Sequence, residues 1–151
     1  MEDYSISSVR PWNSIGQPIK KLIIENGVTH IGDYAFYFQD DLTSISIPDS
    51  VASIGDSAFN ECIYISSIYL TSIESWLSLW SEVIHVNSPR EIYLNGKMLT
   101  DVIIPEGVAS IGGKAFFGCT SLTSISLPDS VTSIGSYAFS GCTSLVNIAI
   151  P

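Results

Sequence analysis

The chain has 151 residues, 46% of them hydrophobic and only 14% charged, with a net charge of −9. That length supports one domain with a continuous core, and the excess of acid leaves no basic stripe with which to displace counterions from nucleic acid or to hold an anionic membrane surface. No run of about 18 apolar residues exists to span a bilayer, so the partner classes left are proteins and glycans.

In chain order, residues 1–18 carry no basic-then-apolar leader and contain Pro11 and Trp12, which are expected to cover the first structural unit as a partial cap. Ile19–Glu25 reads as a first strand. Leu42-Thr-Ser-Ile-Ser-Ile-Pro48 is a clearer one: Ile45 and Ile47 point to one side, Ser44 and Ser46 to the other. Proline ends it for want of an N–H, and Asp49-Ser50 turns the chain. The motif returns as Leu122–Pro128 followed by Asp129-Ser130.

Between the strands runs a second recurring segment. Val131-Thr-Ser-Ile-Gly-Ser-Tyr-Ala-Phe-Ser-Gly-Cys-Thr-Ser-Leu145 reappears 23 residues earlier from Val108 to Leu122, and again from Val51 and from Val28. Val51 and Val108 are 57 residues apart, one regular step plus a unit of 34, so one central unit is 11 residues longer. Self-similarity at a fixed period is the signature of a solenoid. Residues in one column then lie above one another on successive coils: Ile31, Ile54, Ile111 and Ile134 in one, Phe36, Phe59, Phe116 and Phe139 in another. Glycine follows each of those isoleucines, where a side chain would not fit or φ is positive. Ala-Phe-x-x-Cys is long enough for a single turn of helix or 3₁₀.

The long unit, residues 71–105, holds a predicted short helix from Trp76 to Trp80. Asn95-Gly96 between apolar runs then signals a two-residue hairpin, with Ile92–Leu94 expected to pair with Met98–Ile104. It reads as a variant repeat within one domain: a partial cap at 1–18, regular repeats over 19–70, the variant at 71–105 and regular repeats over 106–151. Both ends read as cuts in a longer array.

The unit Val-x-x-Ile-Gly-x-x-Ala-Phe-x-x-Cys-x-x-Leu-x-x-Ile-x-Leu-Pro, complete from Val108 to Pro128, resembles the BspA-like leucine-rich repeat family. The resemblance extends over residues 19–151, with Gln39 in place of cysteine and Thr71 in place of proline as departures. It implies a right-handed leucine-rich repeat coil with a parallel β-sheet on one face and short helical or 3₁₀ turns opposite. It further implies an extracellular or cell-surface protein that adheres to host proteins or to other cells.

Chemistry-bearing residues are sparse. Cys62, Cys119 and Cys142 occupy one inward column. A Cys119–Cys142 disulfide is geometrically conceivable, but buried free thiols acting as small hydrophobes are the simpler expectation, and no paired Cys-x-x-Cys spacing suggests zinc. His30 falls in a surface column that is otherwise serine (Ser53, Ser110, Ser133), and His85 lies near Glu82 in the long unit. No Gly-x-Ser-x-Gly elbow accompanies them, so no catalytic, cofactor or metal residue is assigned. A hydrolytic enzyme is the remote alternative. Asp40-Asp41 lacks the regular spacing of a calcium loop and reads as a solvated turn.

The repeating strand face is the better candidate for function, as extended solenoid faces are where such proteins bind partners. One outward column reads Ile23, Ser46, Tyr69, Ile103, Ser126, Ala149 and its neighbour Lys21, Ser44, Ser67, Asp101, Ser124, Asn147. Departures from serine concentrate at Tyr69, Asp101 and Ile103, which either form a binding patch for a protein or glycan or pack on the inserted hairpin. A structural spacer built on neutral serine columns is the competing reading.

Overall fold

A computed structural model describes residue 12 and residues 17–79 and 90–150. The regular strands are β1 (Lys21–Ile23), β2 (His30–Ile31), β3 (Ser44–Ile47), β4 (Ser53–Ile54) and β5 (Ser67–Leu70). The long unit follows with α1 (Ile73–Ser78), β6 (Glu91–Leu94) and β7 (Lys97–Met98). Then come β8 (Asp101–Ile103), β9 (Ser110–Ile111), β10 (Ser124–Ser126), β11 (Ser133–Ile134) and β12 (Asn147–Ala149).

Consecutive coils stack in parallel. Lys21 pairs with Ser44 and Ser44 with Ser67, Ile45 with Ile68, and on the second half Asp101 with Ser124 and Ser124 with Asn147. The 23-residue period is thus the register of the sheet itself. Short strand pairs β2–β4 and β9–β11 make a second ladder along the solenoid. The isoleucine, leucine and phenylalanine columns face inward: Ile31, Leu42, Ile45, Phe59, Ile65, Ile68, Phe116 and Leu122 are fully enclosed. Phe36 and Phe59 stack at 5.3 Å and Phe116 and Phe139 at 5.6 Å, while Trp12 lies on Phe36 at 4.9 Å. In the final coil the same columns open to solvent, with Ile134, Ile148 and Ile150 exposed.

Opposite the strands, each coil turns through hydrogen bonds of the i→i−3 kind, such as Ala35 N to Gly32 O and Tyr37 N to Tyr34 O, without becoming a helix. The reason is conformational. Tyr34, Ser57, Lys114 and Tyr137 all take φ between 52° and 59°, and Phe38, Glu61, Gly118 and Gly141 follow at 59° to 78°. Two left-handed residues per coil interrupt any helical run. Of the glycines after isoleucine, Gly55 and Gly135 owe their presence to close approach instead. A Cβ on Gly55 would sit 2.5 Å from the Asp33 backbone nitrogen, and one on Gly135 2.8 Å from the Gly113 Cα.

Side chains that look like bland turn residues join the coils. Ser50 Oγ donates to Val28 O at 3.0 Å and accepts from Gly27 N at 3.1 Å, and Ser130 does the same for Val108 O and Gly107 N. Thr43 and Thr123 hydroxyls donate to Lys20 O and Thr100 O, both at 2.9 Å. The two serines satisfy backbone groups at Gly27, Val28, Gly107 and Val108, while the threonine hydroxyls add to carbonyls that already accept from the backbone N–H groups of the next coil.

The long unit differs from the sequence reading in three ways. Its helix runs Ile73–Ser78, earlier than Trp76–Trp80, because Ser72 caps it by accepting from Ser75 N and Glu74 complements the first turn; Trp80 lies outside the described residues. The hairpin at Asn95-Gly96 is present but short: Tyr93 pairs with Met98 and Leu94 with Lys97, and Leu99 N donates to Ile92 O at 2.8 Å just beyond. Asp101–Ile103 joins β10 and does not return along β6. Consequently the strand face is two sheets, β1-β3-β5-β6-β7 and β8-β10-β12.

Candidate binding face

The alternation read from sequence places the outward columns as expected on each sheet, but β6 enters between Tyr69 and Ile103. On the first sheet the columns run Lys21, Ser44, Ser67, Glu91 and Ile23, Ser46, Tyr69, Tyr93; on the second, Asp101, Ser124, Asn147 and Ile103, Ser126, Ala149. Lys21, Ile23, Tyr69, Asp101, Ile103, Ser126, Asn147 and Ala149 are exposed, and Ser44, Ser46, Ser67 and Ser124 are half-buried between taller neighbours.

Tyr69 and Tyr93 stack at 4.7 Å with rings 15° from parallel. Tyr69 therefore packs on the inserted unit and still shows 36% of its surface. Ile103 is 80% exposed, the most open large apolar side chain of the described residues. Met98, directly across from Tyr93, is exposed as well. The stripe Tyr69–Tyr93–Met98 is longer than sequence reasoning found. The signal for it was the tripeptide Ile-Tyr-Leu, which occurs at 68–70 and again at 92–94, one residue off the regular period.

Carboxylates flank this stripe and are held in place. The Tyr93 hydroxyl donates to Glu91 Oε2 at 2.7 Å, which raises the phenol above its ordinary range. Asp101 accepts from the hydroxyls of Ser124, Thr100 and Thr123, and these bonds hold its carboxyl below the usual range. The face thus presents oriented acceptors beside an apolar stripe, a pairing suited to recognition.

Outside the face, Arg90 was not foreseen and is almost wholly buried at 1%. Its Nε donates to Phe117 O at 2.9 Å, its Nη2 to Lys114 O at 3.2 Å and its backbone N to Gly118 O at 2.8 Å. The guanidinium also lies over the Phe117 ring, 5.8 Å from its centroid. Burial pulls Arg90 down to about 10, with Cys119 and Cys142 acting against that; burial pushes the Cys119 thiol up to about 12, with Arg90 opposing and Cys142 reinforcing. At neutral pH the pair is a charged guanidinium beside an un-ionised thiol. Such a thiol is a poor nucleophile.

Cys62, Cys119 and Cys142 are free. Cys62 and Cys142 direct Sγ at the carbonyls of Phe36 and Phe116 on the preceding coil, both at 3.0 Å. His30 sits in the surface column with Nδ1 2.7 Å from Ser53 Oγ. His85 and Glu82 lie outside the described residues. Among the described residues no cluster of three His, Cys, Asp or Glu could hold a metal, and no helix is long and apolar enough to cross a membrane.

The BspA-type leucine-rich repeat region, in six copies, matches residues 15–80 and 87–151. The chain belongs to the BspA-type leucine-rich repeat family. Leucine-rich repeat regions are generally protein-interaction modules and typically non-catalytic. No curated protein matches the chain. Solved structures resembling it include a leucine-rich repeat protein of T. pallidum, at 25% identity and TM-score 0.44 over 89% of this chain and 60% of that one. Another, from Bacteroides ovatus, is 34% identical at TM-score 0.42 over 85% of this chain and 30% of that one. A leucine rich cell surface protein of Faecalibacterium prausnitzii is 24% identical at TM-score 0.45 over 87% and 48%. The BspA-type chain described here spans 60% or less of the length of each of these three.

Proposed function

We propose that this BspA-type chain is a non-catalytic adhesion module of a cell-surface or secreted protein, binding a protein partner through the exposed strand face. The observation that carries the reading is the stack of Tyr69 on Tyr93, continued by Met98 and flanked by the fixed carboxylates of Glu91 and Asp101. Aromatic anchors bordered by oriented polar groups are the arrangement that concentrates binding energy at interfaces. The resemblance to BspA-like proteins supports the surface location.

The test is binding to a panel of extracellular-matrix proteins and glycans, with a Tyr69→Ser, Asp101→Ser double variant beside the parent. A ligand held by the parent and lost by the variant supports the strand face. A ligand held equally by both places binding elsewhere.

The spacer reading draws on one observation: Ser44, Ser46, Ser67, Ser124 and Ser126 fill much of the same face with small neutral groups. Absence of any ligand for the parent at high concentration would favour it.

A further inference from the structure

An open cleft of about 470 Å³ lies at the start of the first sheet, lined by Lys20, Asp40, Asp41, Thr43 and Tyr64. It is separate from the Tyr69–Tyr93 stripe. Its size falls within the range of small-ligand sites.

The repeat supplies its own control for these positions. Asp40 and Asp41 align with Thr120-Ser121 and Thr143-Ser144 in the later coils, and Tyr64 shares the column of Ser121 and Ser144. In that column Ser121 Oγ donates to Leu99 O on the coil before it. A carboxylate has no hydrogen to donate in that role and a phenol ring is too long for it. The first two coils have thus given up a structural hydroxyl for larger polar groups, at one spot. Tyr64 is 58% exposed, and Asp40 and Asp41 are exposed too. Among the described residues, no hydrogen bond or ion pair occupies the two carboxylates or the Lys20 ammonium.

Charge narrows the ligand. Two carboxylates disfavour an anion, and the Lys20 ammonium lining the same cleft offsets part of their charge and so weakens the pull on a guanidinium or ammonium. A neutral polyhydroxylated ring meets no such opposition. Its vicinal hydroxyls donate to carboxylate oxygens and accept from the ammonium, and its C–H face can lie on a tyrosine ring, whose body is apolar and whose tip is polar. We infer that the Lys20–Asp40–Asp41–Thr43–Tyr64 cleft is a carbohydrate site that takes a single neutral pyranose unit.

The test is saturation-transfer difference NMR with methyl glycosides of glucose, galactose, mannose and N-acetylglucosamine at millimolar concentrations. It uses the parent chain, an Asp40→Asn, Asp41→Asn variant, a Tyr64→Ala variant and the strand-face variant Tyr69→Ser, Asp101→Ser. At least one glycoside should show transfer to its ring protons with the parent and with the strand-face variant. Affinity should fall at least tenfold in the other two. The backbone amide shifts of Thr43 and Tyr64, followed by titration of the parent, give a readout that no variant's folding can disturb. Absence of transfer from every glycoside overturns the proposal. So does undiminished binding by the cleft variants, or a glycoside that shifts amides elsewhere while a cationic peptide shifts those of Thr43 and Tyr64. Because the strand-face variant is one arm, failure here leaves the adhesion reading standing, and the reverse also holds.

Discussion

Arg90 Nε donates to the Phe117 carbonyl at 2.9 Å, the job that the backbone N–H of Phe38 performs for Asn60 two coils earlier. In the regular coils, each turn segment donates from one coil to the carbonyls of the next: Tyr34 to Asp56, Phe36 to Ala58 and Phe38 to Asn60, then Lys114 to Ser136, Phe116 to Ala138 and Gly118 to Ser140. At the long unit the residues in the donor register are Glu91, Tyr93 and Asn95, which have left for the hairpin strand, where Glu91 N goes to Ser66 O and Asn95 N to Leu70 O. Two side chains take their place. Arg90 reaches Phe117 O, and Trp76 Nε1 reaches Ala115 O at 3.2 Å.

Removing Arg90 should therefore cost stability beyond its packing. Arg90→Met leaves the Phe117 carbonyl without its charged donor, and a loss of about 1.5–3 kcal/mol is expected from urea unfolding. Arg90→Lys should restore little of it, since one ammonium cannot span the carbonyls of Lys114 and Phe117 as a planar fork does. A lysine variant as stable as the parent would sink this account.

Gly135→Ala should destabilise the chain by about 1–3 kcal/mol, because what the new methyl meets is the Gly113 backbone and not a movable side chain. Gly113→Ala is the comparison. There the new methyl comes no closer than 3.3 Å to Ser136 O, so its effect on the thermal midpoint should be smaller. Equal midpoints for the two variants would refute the close-approach explanation.

The strand face should be separable from the fold. Ile103→Ser, at an 80% exposed position, is expected to change stability by no more than about 0.5 kcal/mol. Tyr69→Ser should cost about 0.5–1.5 kcal/mol through loss of the Tyr93 stack. Denaturant midpoints of the two variants decide this directly, and a larger loss at Ile103 would mean that it serves packing.

Alkaline pH should weaken the fold through Cys119. The thiol ionises near 9 unfolded and near 12 folded, so the unfolded chain releases its proton first. The stabilisation is complete below pH 9 and is lost as pH rises toward 12. Urea midpoints at pH 7 and pH 9.5 should fall further for the parent than for Cys119→Ala. A parallel fall in both would assign the alkaline loss to other groups.

The coil was legible because its period is stated repeatedly: Val, Ile-Gly, Ala-Phe and the Ile-x-Ile strand recur at the spacing that the sheet register requires. The strand-face columns followed from strand alternation alone. The central unit was harder to read. Aligning Tyr69 with Ile103 treated Ile92–Leu94 as a hairpin arm paired with Met98–Ile104, whereas a 24-residue step to Glu91–Leu94 inserts a whole rung on β5. Arg90 had no periodic partner to announce it, and its role exists only because the backbone donors beside it were diverted. The roles of Ser50 and Ser130 were also hidden, since a turn serine and a serine bridging two coils look identical in one dimension.

The seam at residues 90–91 gives this solenoid a division of labour. Arg90 N bonds to Gly118 O in the second half while the next residue, Glu91, bonds back to Ser66 O in the first. Among the described residues, no strand pairing joins the two strand-face sheets. In a stack whose stability is a sum over nearest neighbours, that makes the seam a coupling that depends on side chains and so one exposed to single mutations. Elsewhere among the described residues the turn segments are zipped by main chain, with Ser50 and Ser130 adding side-chain links. A protein that lengthens or rearranges by trading repeats could cut at any coil boundary, but a cut here would sever links made by residues that the regular repeat does not carry, and a graft across it would have to bring its own tryptophan and arginine.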